Sequence, residues 1–387
     1  MKKKIMLIIA ITLLSCMTAC GTAPAETEES TNIENTNVSE ESNTPQYIKA
    51  NQDFYKNGVI YYKRDGTIVS SYFLDFDTME SSPLCAIPNC THKLSNCLAT
   101  QLGYAPVLYN DFIYFFEYEA DVCETTDGSE FYMESKLKKA SLSSSETQTV
   151  CEFTDAVPRA GNGYILNGSE LYFIAYDPDP YEDGYGGYSW ASVGGRDYIC
   201  SINLESGEYH NYGEVCYVEN EYPSADNTAS AKILGYYNGK MYIGYSFVKD
   251  YPDEVTVDTE LEWTLYNFTF DLETKELIES ELPYSAFMNE NSYAYYEDEN
   301  HFTVIDQGQT YHFEGIVNEV HVPVYNNKVF GLYSWFDLTD QSEHSLGKYA
   351  FSEDSEWELI TYYNGYYIFK NPDCVFEKVS EEELLAL

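Results

Sequence analysis

Asn238-Gly239-Lys240-Met241-Tyr242-Ile243 is a two-residue turn signal followed by an apolar-aromatic run, and the pattern returns along the chain. Further copies are Asn57-Gly58-Val59-Ile60-Tyr61-Tyr62, Asn110-Asp111-Phe112-Ile113-Tyr114-Phe115, Asn167-Gly168-Ser169-Glu170-Leu171-Tyr172-Phe173, Asn326-Asn327-Lys328-Val329-Phe330 and Asn364-Gly365-Tyr366-Tyr367-Ile368-Phe369, with a degenerate copy at Glu299-Asn300-His301-Phe302. Asn-Gly supplies the positive φ values of a tight hairpin, and the run after it supplies a strand. A second signature tends to follow, a strand closed by a polar turn: Tyr72 to Asp77, Ile199 to Gly207, Leu265 to Thr274 and Leu346 to Phe351. Copies start about 40 to 70 residues apart, the length of one four-stranded sheet plus variable loops. So small a sheet cannot bury both faces alone, and its neighbours must cover it. The expected fold is all-β, a β-propeller of six or seven four-stranded blades over residues 47–387, with an array of β-sandwiches as the alternative.

Composition agrees. The chain of 387 residues has 39 Tyr, 20 Phe and 4 Trp, residues that favour half-buried strands. The single helical candidate is the end, where Ser380 and Glu383 have capping-box spacing. The formal charge is −43, and loss of the three lysines at the N-terminus makes it about −46. Such a field excludes nucleic acid, whose phosphates need Lys and Arg. It also repels anionic polymers, and leaves cations, basic peptides and neutral glycans as partners.

Lys2, Lys3 and Lys4 precede the apolar run of residues 5–14, the layout of a secretory signal too short to span a bilayer. Met17-Thr18-Ala19-Cys20-Gly21 then resembles a bacterial lipobox, with Cys16 as a competing position. Residues 1–19 are read as signal peptide and Cys20 as the lipidated residue, which places the chain on the extracytoplasmic face of the cell membrane with the lipid bilayer as first partner. Residues 21–46 hold six Glu and no Lys, Arg or aromatic residue, so residues 20–46 are read as a disordered acidic tether, about 30 Å end to end.

With its repeats over about residues 50–380, the chain resembles the propeller-bearing lipoproteins of Gram-positive bacteria, whose repeats are similar to the YWTD-type propeller of low-density-lipoprotein receptors. The Tyr-Trp-Thr-Asp tetrad itself is missing. The resemblance implies a fold and no chemistry.

Cys85, Cys90, His92 and Cys97 gather three thiols and an imidazole within thirteen residues. Three Cys and one His suit a structural zinc site, closed to catalysis. Outside the membrane, disulfides compete: besides Cys20 the mature chain has eight cysteines, an even number. A second candidate is the insertion around Asp177, Asp179, Tyr181, Asp183, Tyr185, Tyr188 and Trp190. Its carboxylates are a calcium candidate, although two prolines and the lack of a bidentate Glu spoil an EF-hand. Its aromatic residues suit stacking on a sugar or peptide. His301 and His312 are expected to share a hairpin. None of the usual hydrolase, phosphate-loop, dinucleotide or sialidase motifs is present. The expected function is that of a noncatalytic surface protein binding an extracellular glycan, peptide or protein, or serving as a scaffold. The alternatives are a glycan hydrolase or lyase, and an envelope sensor or assembly subunit.

Overall fold

The computed structural model describes residues 45–387 apart from 49–52, 56, 67, 86–89, 93–96, 103–105, 126–127, 142–145, 154–156, 160–162, 178–180, 183–187, 190–194, 219–229, 249–262, 284–286, 299–300, 315–322 and 353–356. The signal peptide, Cys20 and nearly all of the tether lie outside the described residues.

Seven antiparallel sheets follow one another along the chain. Lettering the strands of each sheet A to D in chain order, blade 1 is Asp53–Tyr55, Gly58–Asp65, Ile68–Asp75 and Glu80–Pro83, and blade 2 is Val107–Tyr109, Phe112–Thr125, Gly128–Ser141 and Thr147–Phe153. Blade 3 is Tyr164–Asn167, Glu170–Asp177, Gly195–Asn203 and Tyr209–Val218, and blade 4 is Ser230–Tyr237, Lys240–Val248, Trp263–Asp271 and Leu277–Glu279. Blade 5 is Phe287–Met288, Ser292–Tyr296, His301–Asp306 and Gln309–Glu314, and blade 6 is Val324–Tyr325, Lys328–Phe330, Ser334–Asp337 and Glu343–Ser345. Among the described residues blade 7 has three strands, Glu358–Tyr363, Tyr366–Lys370 and Phe376–Ser380, so the expectation of four per blade is corrected there. After its third strand the chain turns into a helix, Glu381–Leu385, started by the Ser380–Glu383 capping box.

Apolar side chains between successive blades close the ring. Phe115 and Leu98 sit between blades 1 and 2, Phe116 and Phe173 between 2 and 3, and Ile174 and Ile243 between 3 and 4. Tyr242 and Tyr293 join blades 4 and 5, Phe302 and Phe336 join 5 and 6, and Trp335 and Tyr367 join 6 and 7. Blade 7 meets blade 1 through Ile360, Ile368, Val59 and Leu74, with Lys378 donating to the Phe76 carbonyl at 3.0 Å. Among the described residues the first and last sheets share no strand, and side-chain contacts join them.

The turn signals act as their φ preferences require. Asn110-Asp111, Asn238-Gly239, Asn326-Asn327 and Asn364-Gly365 all have positive φ at both residues and join strands A and B of blades 2, 4, 6 and 7. Three copies differ. In blade 3 Asn167 still pairs with Glu170, so the turn is Gly168-Ser169 and only Gly168 has positive φ. In blade 1 Gly58 already pairs with Tyr55. It is needed there for closeness, since a Cβ would run into the Phe73 ring and the Leu74 carbonyl oxygen. Gly58→Ala is expected to cost about 1–3 kcal/mol in a urea titration, because backbone cannot yield as a side chain does. The degenerate copy near Glu299 joins strands B and C of blade 5, whose A–B turn is residues 289–291 without glycine.

The second signature is a five-residue turn between strands C and D. In blades 1, 3, 4 and 6 it begins with Asp75, Asn203, Asp271 or Asp337, whose carbonyl accepts from Met79, Gly207, Lys275 or Gln341 at 2.7–2.9 Å. The four donor residues have φ between 55° and 75°. The Asp or Asn side chain caps the turn, as where Asp271 Oδ1 accepts from Glu273 and Thr274 at 2.9 and 3.0 Å. Residues 346–351 are not a copy, for they hold a 3-10 turn between blades 6 and 7, and the true copy is Asp337 to Gln341.

Two more segments join blade 3. Val157–Pro158 pairs with its strand B. Gln46–Ile48 pairs antiparallel with strand A, Gln46 opposite Leu166 and Ile48 opposite Tyr164. Strand A is the innermost of each blade, so Gln46–Ile48 lines the axis of the ring, and it also lies against strand A of blade 4.

Candidate functional site

The connections sort themselves by end. At one end of the ring every A–B and C–D connection has two to five residues. These tight turns touch from blade to blade: Tyr109 donates to Glu205 Oε1 at 2.7 Å, and Tyr363 to Asp77 Oδ1 at 3.3 Å. The opposite end carries every long connection, namely residues 84–106, 154–163, 178–194, 219–229, 249–262, 315–323 and 346–357. Strands B and C of blade 2, at 14 residues each, overshoot their neighbours of 8 or 9 residues by about 17 Å at that end. A rigid ring presenting variable loops on one side is the usual way a β scaffold carries a site.

The residues singled out by spacing fall at this loop end. Cys85, Cys90, His92 and Cys97 lie in the connection from blade 1 to blade 2, and their ligand atoms all lie within 4.8 Å of one another. His92 has φ 56°, a left-handed turn that aims its own N–H at Cys90 Sγ (3.3 Å) and its Nδ1 at Cys97 Sγ (3.5 Å). Its carbonyl accepts from Ser70 of blade 1 at 3.3 Å. The His92 N–H holds the Cys90 thiol below the ordinary range, whereas burial pushes Cys97 up to about 12. The three thiols are free, as are those of Cys151, Cys200 and Cys374. The side chains of Cys123 and Cys216 lie outside the described residues.

Of the insertion in blade 3, Asp179, Asp183, Tyr185 and Trp190 lie outside the described residues. Only the backbone is described at Asp177, Tyr181 and Tyr188, where a short hairpin pairs Tyr181 with Ser189 and Glu182 with Tyr188. His301 and His312 do share a hairpin, strands C and D of blade 5. His301 Nδ1 lies 2.8 Å from Asp298, and His312 Nδ1 lies 3.1 Å from Glu297 Oε1 and 2.8 Å from Thr303 Oγ1. Thr303 also donates to Glu297. Hydrogen bonding to Asp298 raises the His301 pKa, and hydrogen bonds from Thr303 and His312 lower that of Glu297. Both pairs stand at the loop end, at the B–C connection of blade 5.

Spacing gave no sign of the buried ion pair nearby. Arg159 Nε donates to Asp197 Oδ1 at 2.7 Å, its guanidinium lies 4.1 Å from the centre of the Tyr176 ring, and Asp197 Oδ2 accepts from the Ala231 N–H at 2.8 Å. Blade 3, the connection leading into it and the first strand of blade 4 thus meet on one carboxylate. Burial raises the Asp197 pKa and outweighs the opposing pull of Arg159.

No family model matches the chain. No curated protein matches it either. Among solved structures it is similar to an oligogalacturonate lyase in complex with manganese, at 10% identity and a TM-score of 0.42 over 87% of this chain and 91% of that one. It is also similar to the β-propeller domain of the Trilobed protease from Pyrococcus furiosus, at 8% identity and 0.39 over 88% and 92%, and to an α-L-arabinanase from Penicillium chrysogenum, at 10% identity and 0.36 over 88% and 94%. These are likenesses of fold. The expectation of a noncatalytic protein is corrected: the solved structures similar to it include a lyase and an arabinanase, and a missing motif excludes no activity.

Proposed function

We propose that the chain is an exported lipoprotein, held at the outer face of a cell membrane through Cys20, whose loop end takes up an extracellular glycan. The observation that carries this reading is the sorting of connections, tight turns at one end and every long insert at the other. A second feature supports it. Gln46–Ile48 runs antiparallel to strand A of blade 3, so Gln46 sits at the tight-turn end, opposite the long loops. The resemblance to propeller-bearing lipoproteins of Gram-positive bacteria fits the same layout. Neutral or cationic glycans suit a chain of charge −43 better than acidic ones, and Tyr188 and Trp190 supply rings for stacking.

Detergent-solubilised full chain, tested against immobilised neutral and amino-sugar glycans, is expected to bind at least one class, and Tyr188→Ala with Trp190→Ala to weaken that binding about tenfold. Binding that ignores the loop substitutions, or no binding at all, overturns the reading.

The two histidine–carboxylate pairs at the loop end favour a second reading, a glycan-active enzyme. Hydrolysis is preferred over elimination, because elimination needs a uronate and the charge of the chain repels one. New reducing ends released from the bound glycan, and lost in Glu297→Gln, support it; an intact glycan removes it.

A further inference from the structure

The geometry points to a structural zinc site built by Cys85, Cys90, His92 and Cys97, which fastens the connection between blades 1 and 2. In a tetrahedral centre with Zn–S near 2.3 Å and Zn–N near 2.05 Å, neighbouring ligand atoms stand about 3.5–3.8 Å apart. The Cys97 Sγ to His92 Nδ1 distance of 3.5 Å is an edge of that size, and all four ligand atoms fall within 4.8 Å of one another. Three thiolates and one imidazole form a soft donor set that selects Zn(II) over hard cations. A disulfide would use two sulfurs and leave the third thiol and the imidazole converging on nothing.

The surroundings are those of a metal site. The His92 N–H directed at Cys90 Sγ is an outer hydrogen bond to a ligand sulfur, and the Ser70 hydroxyl held to the His92 carbonyl fixes the turn that delivers both ring and N–H. Leu84 and Leu98, at either end of the cluster, are buried between blades 1 and 2, and Leu102 follows them in. Cys97 starts the short helix Leu98–Gln101, with Thr100 bonded back to its carbonyl at 2.8 Å. Zinc would therefore cross-link the outer end of blade 1 to the helix that seals the first blade interface. On binding, each cysteine gives its proton to solvent and the four protein ligands fill the coordination sphere, so the site is structural.

The full chain, extracted in detergent without chelator or added metal, is the sample. Metal analysis is expected to find one zinc per chain, with the three thiols unreactive until a chelator is added. Replacement by Co(II) should give the thiolate-to-cobalt charge-transfer band and intensified visible bands of a tetrahedral site. Cys97→Ser is expected to lose the zinc, and Cys151→Ser, outside the cluster, to keep it. If Cys97→Ser fails to fold, the cobalt spectrum of the unaltered chain still decides. Disulfides among Cys85, Cys90 and Cys97 by mass spectrometry, an octahedral cobalt spectrum, or zinc retained by Cys97→Ser would overturn the assignment.

Discussion

Arg159→Met is expected to destabilise the chain by about 3–5 kcal/mol near neutral pH and to regain much of that loss in acid, because it strands the Asp197 carboxylate in the interior. The methionine keeps the apolar contact with Tyr176 and removes only the charge that lies 2.7 Å from Asp197. The side chains of the pair are 14% and 4% exposed, so water cannot replace the lost partner. The direction of the pH effect follows from the raised folded-state pKa of Asp197, which loss of the arginine raises further. Above that pKa the carboxylate is charged in both states and the folded state bears the full cost. As the pH falls through it, the folded state takes up the proton before the unfolded state does, and the cost shrinks. Below the unfolded-state pKa it is gone. Thermal melts of variant and parent should converge as the pH falls from the folded-state pKa of Asp197 in the variant toward that of an unfolded aspartate, and a gap that stays constant contradicts this account. Arg159→Met combined with Asp197→Asn, which keeps an acceptor for the Ala231 N–H, should recover most of the stability.

Trp335→Ala is expected to cost about 3–5 kcal/mol, the range for emptying a large aromatic site. Trp335 is fully buried between blades 6 and 7, stacked on His344 at 4.1 Å and 10° and more distantly on Phe330 at 6.4 Å and 29°. Lys328 lies 5.4 Å from its ring, held there by Glu381 at 2.7 Å. Trp335→Phe should lose far less. It keeps the stack and removes an indole N–H that has no hydrogen-bond partner among the described residues, a desolvated donor the parent carries at a cost. Equilibrium unfolding in guanidinium of both variants separates the two effects; an equal loss in each would mean that the stack contributes little.

How far the fold could be read depended on how local its cause was. Asn238-Gly239 and Asn364-Gly365 announce their hairpins because two consecutive positive φ values demand those residue types. Blade 5 was displaced by one hairpin, since Asn289-Glu290-Asn291 makes a three-residue turn with no glycine to mark it. Leu346 to Phe351 imitated a strand end by composition while the hydrogen bonds that define the turn belong to Asp337. Gln46–Ile48 has no local signature: its pairing with residues 164–166 is a long-range event, and in sequence it is only the tail of a polar stretch. The same contrast holds at the loop end. Cys85, Cys90, His92 and Cys97 stand close enough in sequence to be found by spacing, whereas Arg159 and Asp197 are 38 residues apart in a chain with 64 acidic residues. Only the packing of three blade segments picks out that one carboxylate.

The axial strand also sets how the ring would bear a load. A pull on Gln46 at the tight-turn end, with the loop end held, would act along the axis. The force would then run lengthwise down Gln46–Ile48, and its pairings with residues 164–166 would be strained together in shear instead of parting one after another as a zipper does. Three residues laid along the hub thus resist a lengthwise pull better than their number implies.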